Sequence, residues 1–291
     1  FRQAGILACA TAIGARPRPE AARRGSGMQS QDVVAGGAGK AKAPTVLKIG
    51  KDDVYWALKS GWADFLAAPK YGLAFSGLYM LGGWTILAFA NAAGLYYFAY
   101  PLLTGFALIA PFVAAGFYEV SRRLERGLPL SFGAVLGSVK DSGGRDLGWM
   151  ALVTVFGLII WLDFAFFVYL FFYGLNIPKL ADMVVVAFTT PKGLAFLAVG
   201  NLLGALIAFF MFSIMVVSCP LLLDRDVDFV TAMLTSLKVV AANPLQMLAW
   251  AALIALLMAF SIATGLLGLL IAMPALGHGT WRIYRKTVAS E

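Results

Sequence analysis

Residues 194–223 read LAFLAVGNLLGALIAFFMFSIMVVSCPLLL, thirty consecutive positions without a charged side chain. A hydrocarbon core about 30 Å thick needs roughly 20 helical residues, so this run is long enough to cross a bilayer. Similar apolar runs occupy residues 71–92, 95–118, 147–172 and 245–281. Charged residues make up only 13% of the 291 residues, about half of the share in an ordinary soluble domain. The sequence therefore predicts an all-α, polytopic membrane helical bundle.

An internal repeat sets the predicted number of crossings. Residues 57–60 (ALKS) followed by Pro69 correspond at a constant offset to residues 232–235 (AMLT) followed by Pro244. Both copies carry an apolar stripe at helical spacing, and a looser middle copy begins at Phe132. Each unit is predicted to open with an amphipathic helix lying in the membrane interface, followed by a hairpin of two crossings. This gives about six transmembrane helices as three repeats.

The second crossing of each unit carries a common proline. Pro111, Pro220 and Pro274 lie near the ends of these crossings, where neighbouring helices can satisfy the carbonyl that a proline frees. Tyr118 and Trp281 each follow such a proline by seven residues. We expect both aromatic side chains to lie in the headgroup belt.

A tight turn is predicted near residues 261–265, because the run 245–281 is long for one crossing. A short surface helix is predicted within residues 174–191, where Leu180, Val184 and Phe188 recur every four positions.

Basic residues are sorted between the two faces that six crossings would create. The gaps 119–146 and 224–243 and the C-terminus would share one face with the N-terminal tail, while the opposite face would carry only Lys179 and Lys192. Basic residues remain on the side of insertion, so both termini are predicted to face the cytoplasm or the mitochondrial matrix. The shared face holds Arg122, Arg123, Arg126, Lys140, Arg145, Arg225, Lys238, Arg282, Arg285 and Lys286.

The chain divides by composition into residues 1–50 and an integral membrane domain over residues 51–288. The first part contains Arg2, Arg16, Arg18, Arg23 and Arg24 among small residues. This composition is typical of a mitochondrial presequence or its remnant. The alternative is a disordered basic tail lying on an anionic membrane surface.

Several function classes are not indicated by the sequence. His278 is the one histidine, and Cys9 and Cys219 are the two cysteines, too few for haem, copper or zinc ligand sets. No phosphate-binding loop, dinucleotide glycine pattern or HExxH motif occurs. We therefore expect no enzyme activity, no catalytic residue, no bound metal or cofactor, and no nucleic-acid partner. His278, flanked by glycines, is expected to be a hydrogen-bonded packing residue.

Asp163 is a candidate intramembrane polar residue, because it interrupts an apolar run in the third crossing. A carboxylate there costs on the order of 2.5–3.5 kcal/mol, so it must be neutral, paired or facing water. Asn201 is the other strongly polar residue at comparable depth. The two could form a proton or cation relay; alternatively Asp163 is hydrogen-bonded near the far interface, touching Lys179 or Tyr173.

Two further polar groups have alternative explanations. The acidic stretch 224–228 lacks the spacing of a calcium loop and is predicted to cap a helix.

Six basic residues at the ends of two equivalent crossings are candidates for contact with anionic lipid such as cardiolipin. Simple anchoring by the positive-inside rule explains them equally well. This set is Arg122, Arg123, Arg126, Arg282, Arg285 and Lys286.

The stretches CPLLLDRDV (residues 219–227), Asn243-Pro244 and PALGHGTW (residues 274–281), with Ala232 and Ser236 between them, resemble the bacterial family known as domain of unknown function 2189. The resemblance covers about residues 50–288. It implies an integral membrane protein, and some members of that family are loosely associated with cytochrome c oxidase. The Arg-rich extension departs from the bacterial pattern. Together these features suggest the mitochondrial inner membrane, with the bacterial inner membrane as the alternative.

Function is expected to be non-catalytic. The leading hypothesis is an accessory subunit of a mitochondrial respiratory complex, namely cytochrome c oxidase or its supercomplex, whose partners are lipids and other membrane subunits. The alternative is a small transporter, channel or lipid-handling protein, because hairpin repeats with proline-interrupted helices occur in transporters.

Overall fold

A computed structural model describes residues 44–95, 99–175 and 180–289. The sequence features of residues 1–43, together with Lys179, lie outside the described residues. The described residues form helices joined by short turns and loops, and their one β-type pairing is an isolated bridge between Val46 and Val288. Its helices are α1 (Lys51–Ala67), α2 (Pro69–Ala92), α3 (Ala99–Phe106), α4 (Ala110–Arg126), α5 (Phe132–Tyr173), α6 (Leu180–Thr189), α7 (Pro191–Met215), α8 (Ser218–Asp224), α9 (Phe229–Ala242), α10 (Pro244–Ala263) and α11 (Leu269–Thr287).

Helix boundaries follow the local chemistry of the chain. α2, α7 and α10 each begin at a proline, which has no N–H to lose in the first turn and a backbone angle already suited to a helix. Side-chain oxygens of Ser131, Thr190 and Asp228 accept from the backbone N–H groups of α5, α7 and α9. The prediction that residues 224–228 cap a helix is confirmed at Asp228, and the predicted surface helix is α6.

Five segments of the described chain are long and apolar enough to cross a membrane, which confirms an all-α polytopic bundle. The predicted sixth crossing corresponds to α11, which does not meet the same criteria. Three basic residues lie in its last two turns, and most of its side chains are buried within the protein. The five segments are Pro69–Ala92, Pro101–Arg126, Asp146–Tyr173, Pro191–Asp224 and Pro244–Ala263.

α11 nevertheless returns to the end of the molecule at which α10 begins. Asn243, directly before α10, accepts from the backbone N–H of Ile49 at 2.8 Å. Two residues earlier, the N–H of Leu47 donates to the carbonyl of Thr287, at the end of α11. A turn at residues 264–268 joins the two helices, close to the predicted position, and Gly265 adopts a positive φ of 63° there. The described ends of the chain therefore lie on the same side of the bundle, as the even number of crossings predicts.

Residues before Lys51 also belong to the packed bundle. Ile49 is buried, and the backbone around Val46 pairs with that around Val288. Residues 46–49 therefore pack with the helices, and the predicted division of the chain near residue 50 stays a prediction.

The amphipathic helices close the three units into a ring. The start of α5 packs on α4, α9 packs on α7 and α8, and α1 packs on α11. Each opening helix thus contacts the second crossing of another unit, and the α1–α11 contact joins the first unit to the last. One face of α1 is buried because it forms this joint; the predicted position of α1 in the membrane interface stays a prediction.

The middle unit differs from the other two. A break at Ala68–Pro69 separates α1 from α2, and a break at Asn243–Pro244 separates α9 from α10. The middle unit has no proline at the corresponding place, and its opening helix and crossing form one helix of 42 residues, α5. The predicted separate interfacial helix of this unit is therefore wrong, because nothing there removes a backbone hydrogen bond.

The break between α7 and α8 is repaired by a side chain from α9. Pro220 lies in the first turn of α8 and cannot continue the hydrogen-bonding pattern of α7. The N–H of Val217 donates to the hydroxyl of Ser236 at 3.1 Å, and that hydroxyl donates to the carbonyl of Ser213 at 2.8 Å. The hydroxyl of Ser236, on a neighbouring helix, thus bridges the Val217 N–H and the Ser213 carbonyl, which would pair directly with each other in an unbroken helix.

Two aromatic residues lie elsewhere than predicted. Tyr118 and Trp281 are 3% and 1% exposed, so their placement in the headgroup belt is wrong. Both lie on helix faces that pack against other helices rather than facing outward. Cys219 is buried with a free thiol, as expected for a small packed residue.

Candidate functional site

The candidate site is a group of polar and charged side chains from α1 and from the ends of α4, α8 and α11. We call this region the basic end. Glu125 of α4 accepts from the indole N–H of Trp281 at 3.1 Å, and Asp224 of α8 accepts from the hydroxyl of Tyr284 at 2.7 Å. Both aromatic donors belong to α11. These contacts show that the gaps predicted to share one face do lie together.

The centre of the basic end is a buried four-residue cluster, formed by Asp64, Ser121, His278 and Arg282. Asp64 is only 7% exposed, and Ser121 and His278 are fully buried. They come from α1, α4 and α11 respectively. Asp64 follows Gly61 by three residues, so helical spacing places both on the side of α1 that faces α11. Gly61 has no side chain and allows the two helices to approach closely.

Arg282 and Asp64 form a two-pronged ion pair. The guanidinium Nε lies 3.0 Å from Oδ2 of Asp64, and Nη2 lies 2.7 Å from Oδ1. A planar arginine fork on a carboxylate is the strongest geometry available to such a pair. It offsets part of the desolvation cost of burying both charges.

Ser121 links the ion pair to His278. The hydroxyl oxygen lies 2.7 Å from Oδ2 of Asp64 and 2.8 Å from Nδ1 of His278. A carboxylate can only accept, so the hydroxyl donates to Asp64 and accepts from the Nδ1–H of His278. The imidazole Nε2 is then an acceptor, and it is buried without a hydrogen-bond partner in the described chain. The expectation that His278 is a hydrogen-bonded packing residue is met at Nδ1.

A second buried carboxylate anchors the start of α5. Glu119 is fully buried and accepts from Nε of both Arg122 and Arg123 at 2.7 Å. The two arginines continue to α5, where Arg122 donates to the hydroxyl of Ser138 and Arg123 donates to the carbonyl of Ala134. One glutamate therefore orients two arginines that hold the next unit in place.

The remaining predicted lipid-binding cations are also paired. Arg126 binds Asp224 at 2.7 Å, and Arg285 lies 3.0 Å from Glu125. Lys286 lies 3.1 Å from Asp53 and 4.6 Å from the centre of the Trp56 ring. Two contacts lower the pKa of Asp53: the larger effect comes from a hydrogen bond donated by the backbone N–H of Gly50, and the smaller from the contact with Lys286.

All six predicted lipid-binding residues therefore have a carboxylate partner. Their positive charge is compensated within the protein, which reduces the attraction that a lipid phosphate would feel. Contact with lipid at these six positions stays a prediction.

The predicted intramembrane residues are not brought together with this cluster. Asp163 lies on an exposed face of α5. Asn201, on α7, is exposed and donates to the carbonyl of Leu197 in its own helix at 2.8 Å. A polar relay through these two residues stays a prediction, and the described residues contain no group of three or more His, Cys, Asp or Glu side chains that could hold a metal ion.

Sequence reasoning did not single out Asp64, Ser121 or Glu119. A signal existed for Glu119, because Arg122 and Arg123 follow it at the three- and four-residue spacings of helical ion pairs. A signal also existed for Asp64, because this charged residue directly precedes Phe65 of the apolar stripe on the first amphipathic helix. Ser121 gave no signal, because its role depends on helices far apart in the chain.

Comparison with known proteins supports the membrane assignment. Residues 99–224 match the model of a family described as predicted integral membrane protein (DUF2189). The resemblance to this family is confirmed over those residues, which run from α3 to the end of α8. Of the stretches that suggested the family, residues 219–224 lie within the match, and those between residues 225 and 281 lie beyond it. Neither the curated proteins nor the solved structures gave a match.

Proposed function

We propose that the protein is a non-catalytic accessory subunit of a membrane assembly. Our specific candidate is a mitochondrial respiratory complex of the inner membrane, cytochrome c oxidase or its supercomplex. In this role the chain carries no catalytic residue and no cofactor of its own. It holds neighbouring subunits and structural phospholipid in register.

The observation that carries the proposal is that the polar side chains of the basic end contact other residues of the same chain, whereas large apolar side chains face outward. The basic end makes its polar contacts within the chain, since each of its central polar side chains binds another residue of the protein. These side chains are Asp64, Ser121, Glu119 and Asp224. Many of the exposed side chains on α5 and α7 are large and apolar instead. This surface includes a groove lined by Phe167, Val168, Leu170, Phe171, Phe172 and Val199.

This outer groove is suited to contact with apolar helices or acyl chains. Phe167 and Phe171 are 62% and 84% exposed, and aromatic side chains contribute much of the binding energy at interfaces between proteins.

The mitochondrial and respiratory parts of the proposal rest on the Arg-rich composition of residues 1–50 and on the loose association of the resembled family with cytochrome c oxidase.

Co-purification tests the proposal. A tagged full-length chain is extracted in mild detergent and analysed by native gel and native mass spectrometry. The expected result is a complex of fixed stoichiometry that contains haem-bearing oxidase subunits and shows haem absorbance. Migration as a free monomer without haem would count against the proposal.

A matched pair of variants locates the contact. Phe167→Ala with Phe171→Ala should release the partner subunits, while Leu78→Ala with Phe89→Ala, at similarly exposed positions of α2, should not. Equal retention by both variants would contradict the role of the groove.

A transporter is the second candidate, and the breaks at residues 107–109 and 216–217 favour it, because transporters bind substrates at interrupted helices. At the second break, however, Ser236 occupies the freed backbone groups. A flux assay with purified protein in liposomes separates the candidates. The accessory-subunit proposal expects no ion or solute flux above that of protein-free liposomes.

A further inference from the structure

The outer face of α1 carries positive charge that no carboxylate neutralises. Lys51 and Lys59 are exposed on α1, with Lys48 just before it and Lys70 just after it. Among the residues that the structure describes, none of these four lysines is ion-paired. This distinguishes them from the six cations of the basic end, each of which has a carboxylate partner.

The acidic residues of α1 do not cancel this charge. Asp53 binds Lys286, and Asp64 binds Arg282, so both contribute to the contact with α11. Asp52 is the remaining carboxylate of the helix and is exposed. Lys51 and Lys59 on α1, with Lys48 and Lys70 in the residues that flank it, outnumber the one uncommitted aspartate, so α1 and its flanking residues carry a net positive charge.

The same face presents amphipathic aromatic residues. Tyr55, Lys59, Trp62 and Leu66 recur at spacings of four, three and four, which places them in one stripe along the helix. Tyr55 is 69% exposed, Trp62 38% and Leu66 61%. The opposite side, which includes Ala57, is buried against α11.

This combination matches the chemistry of an anionic membrane surface. Tyrosine and tryptophan prefer the headgroup level, where a ring contacts acyl chains and its polar atom contacts water. Lysine side chains extend from an apolar stem to reach phosphate groups. α1 is also directly joined to the spanning helix α2 through Ala68, which keeps it near the edge of the bilayer.

We propose that the outer face of α1, with Lys48, Lys51, Lys59 and Lys70, binds the anionic phospholipid headgroups of the surrounding bilayer. The aromatic stripe inserts at the headgroup boundary, and the lysines contact the phosphates. The α11 contact holds the helix in this orientation. This site is independent of the proposed partner subunits and differs from the six cations indicated by the sequence.

Lipid retention measured by native mass spectrometry tests the inference. The purified full-length chain is equilibrated in micelles with equal amounts of phosphatidylcholine and phosphatidylglycerol, and the bound ratio is measured. The variant Lys51→Gln, Lys59→Gln, Lys70→Gln is compared with Lys140→Gln, Lys192→Gln, Lys238→Gln, which removes the same charge from exposed positions on α5, α7 and α9. Circular dichroism and gel filtration verify that both variants fold.

The α1 variant is expected to lose its preference for phosphatidylglycerol by at least about five-fold, the effect of roughly one lysine at an anionic surface. The control variant is expected to keep it. Equal loss in both variants, or unchanged preference in both, would overturn the proposal. Unchanged lipid preference with loss of a co-purifying protein from the α1 variant alone would also overturn it, because the face would then bind protein.

Discussion

The α1–α11 and α5–α7 pairs are both brought close by glycine, yet their surroundings differ. A Cβ on Gly61 would lie 2.4 Å from the backbone nitrogen of Gly279, and one on Gly204 would lie 2.7 Å from the Trp161 ring. Beside the first contact lie buried charges, whereas the second is backed by an outward-facing apolar surface. Close packing of two helices therefore does not decide whether the side chains beside the contact are polar. Charged side chains are buried beside the α1–α11 contact because residues of α4 and α11 supply hydrogen-bond and ion-pair partners for them.

The largest difference between the pairs should appear when Asp64 is removed. Asp64→Ala leaves the largely buried Arg282 with only its longer 3.8 Å contact to Glu125 and takes away the acceptor of Ser121. Breaking a buried pair from one side costs about 3–5 kcal/mol. We expect this loss in the free energy of unfolding, measured by SDS titration in detergent micelles.

Lys286→Gln is the matched control for that measurement. It breaks the more exposed pair with Asp53, which should cost about 1 kcal/mol or less. Equal effects of the two substitutions would contradict the central role of the buried cluster.

The next effect concerns the glycine contact itself. Gly61→Ala places a methyl group against the backbone of α11, which has no flexible side chain to move aside. The expected cost is about 2–3 kcal/mol in the same unfolding assay. Gly77→Ala in α2, where a Cβ meets nothing within 4 Å, should be neutral or slightly stabilising because alanine favours helix. Tolerance of Gly61→Ala would mean that α1 can pack differently.

A smaller effect is expected at the repaired break of α7. Ser236→Ala leaves the N–H of Val217 and the carbonyl of Ser213 unpaired, at a cost of about 1–2 kcal/mol. In a Pro220→Ala background the helix is free to close its own hydrogen bonds, so Ser236→Ala should cost less there. A double-mutant cycle measures this coupling, and strictly additive effects would refute the bridging role.

The smallest effect is pH-dependent. Hydrogen bonds from the side chain and backbone of Thr231 lower the pKa of Asp228 below 3.8. A lowered pKa in the folded state stabilises the protein above the unfolded pKa, and this contribution is lost as pH falls through the folded value. Asp228→Ala should therefore cost about 1 kcal/mol at pH 7 and less at acidic pH. Asp228→Asn, which still caps, should show little pH dependence of its cost.

The contrast between the first and middle units shows how far sequence patterns extend. The apolar periodicity near Phe132 indicated a helix, and the structure has one. The expected separation from the following crossing failed because it was carried over from copies that contain Pro69 and Pro244. A proline removes a donor and clashes with the preceding turn, and without it the backbone of α5 continues unbroken.

The sequence by itself determined the membrane class, the helices and the face on which the basic residues gather. These follow from length, hydropathy and charge asymmetry, which act locally or along the chain. Only the tertiary structure decided that the cations of the basic end are paired and that Asp64, Ser121 and His278 meet. Residues 64 and 282 are more than two hundred positions apart, and such contacts depend on how whole helices pack rather than on any local pattern.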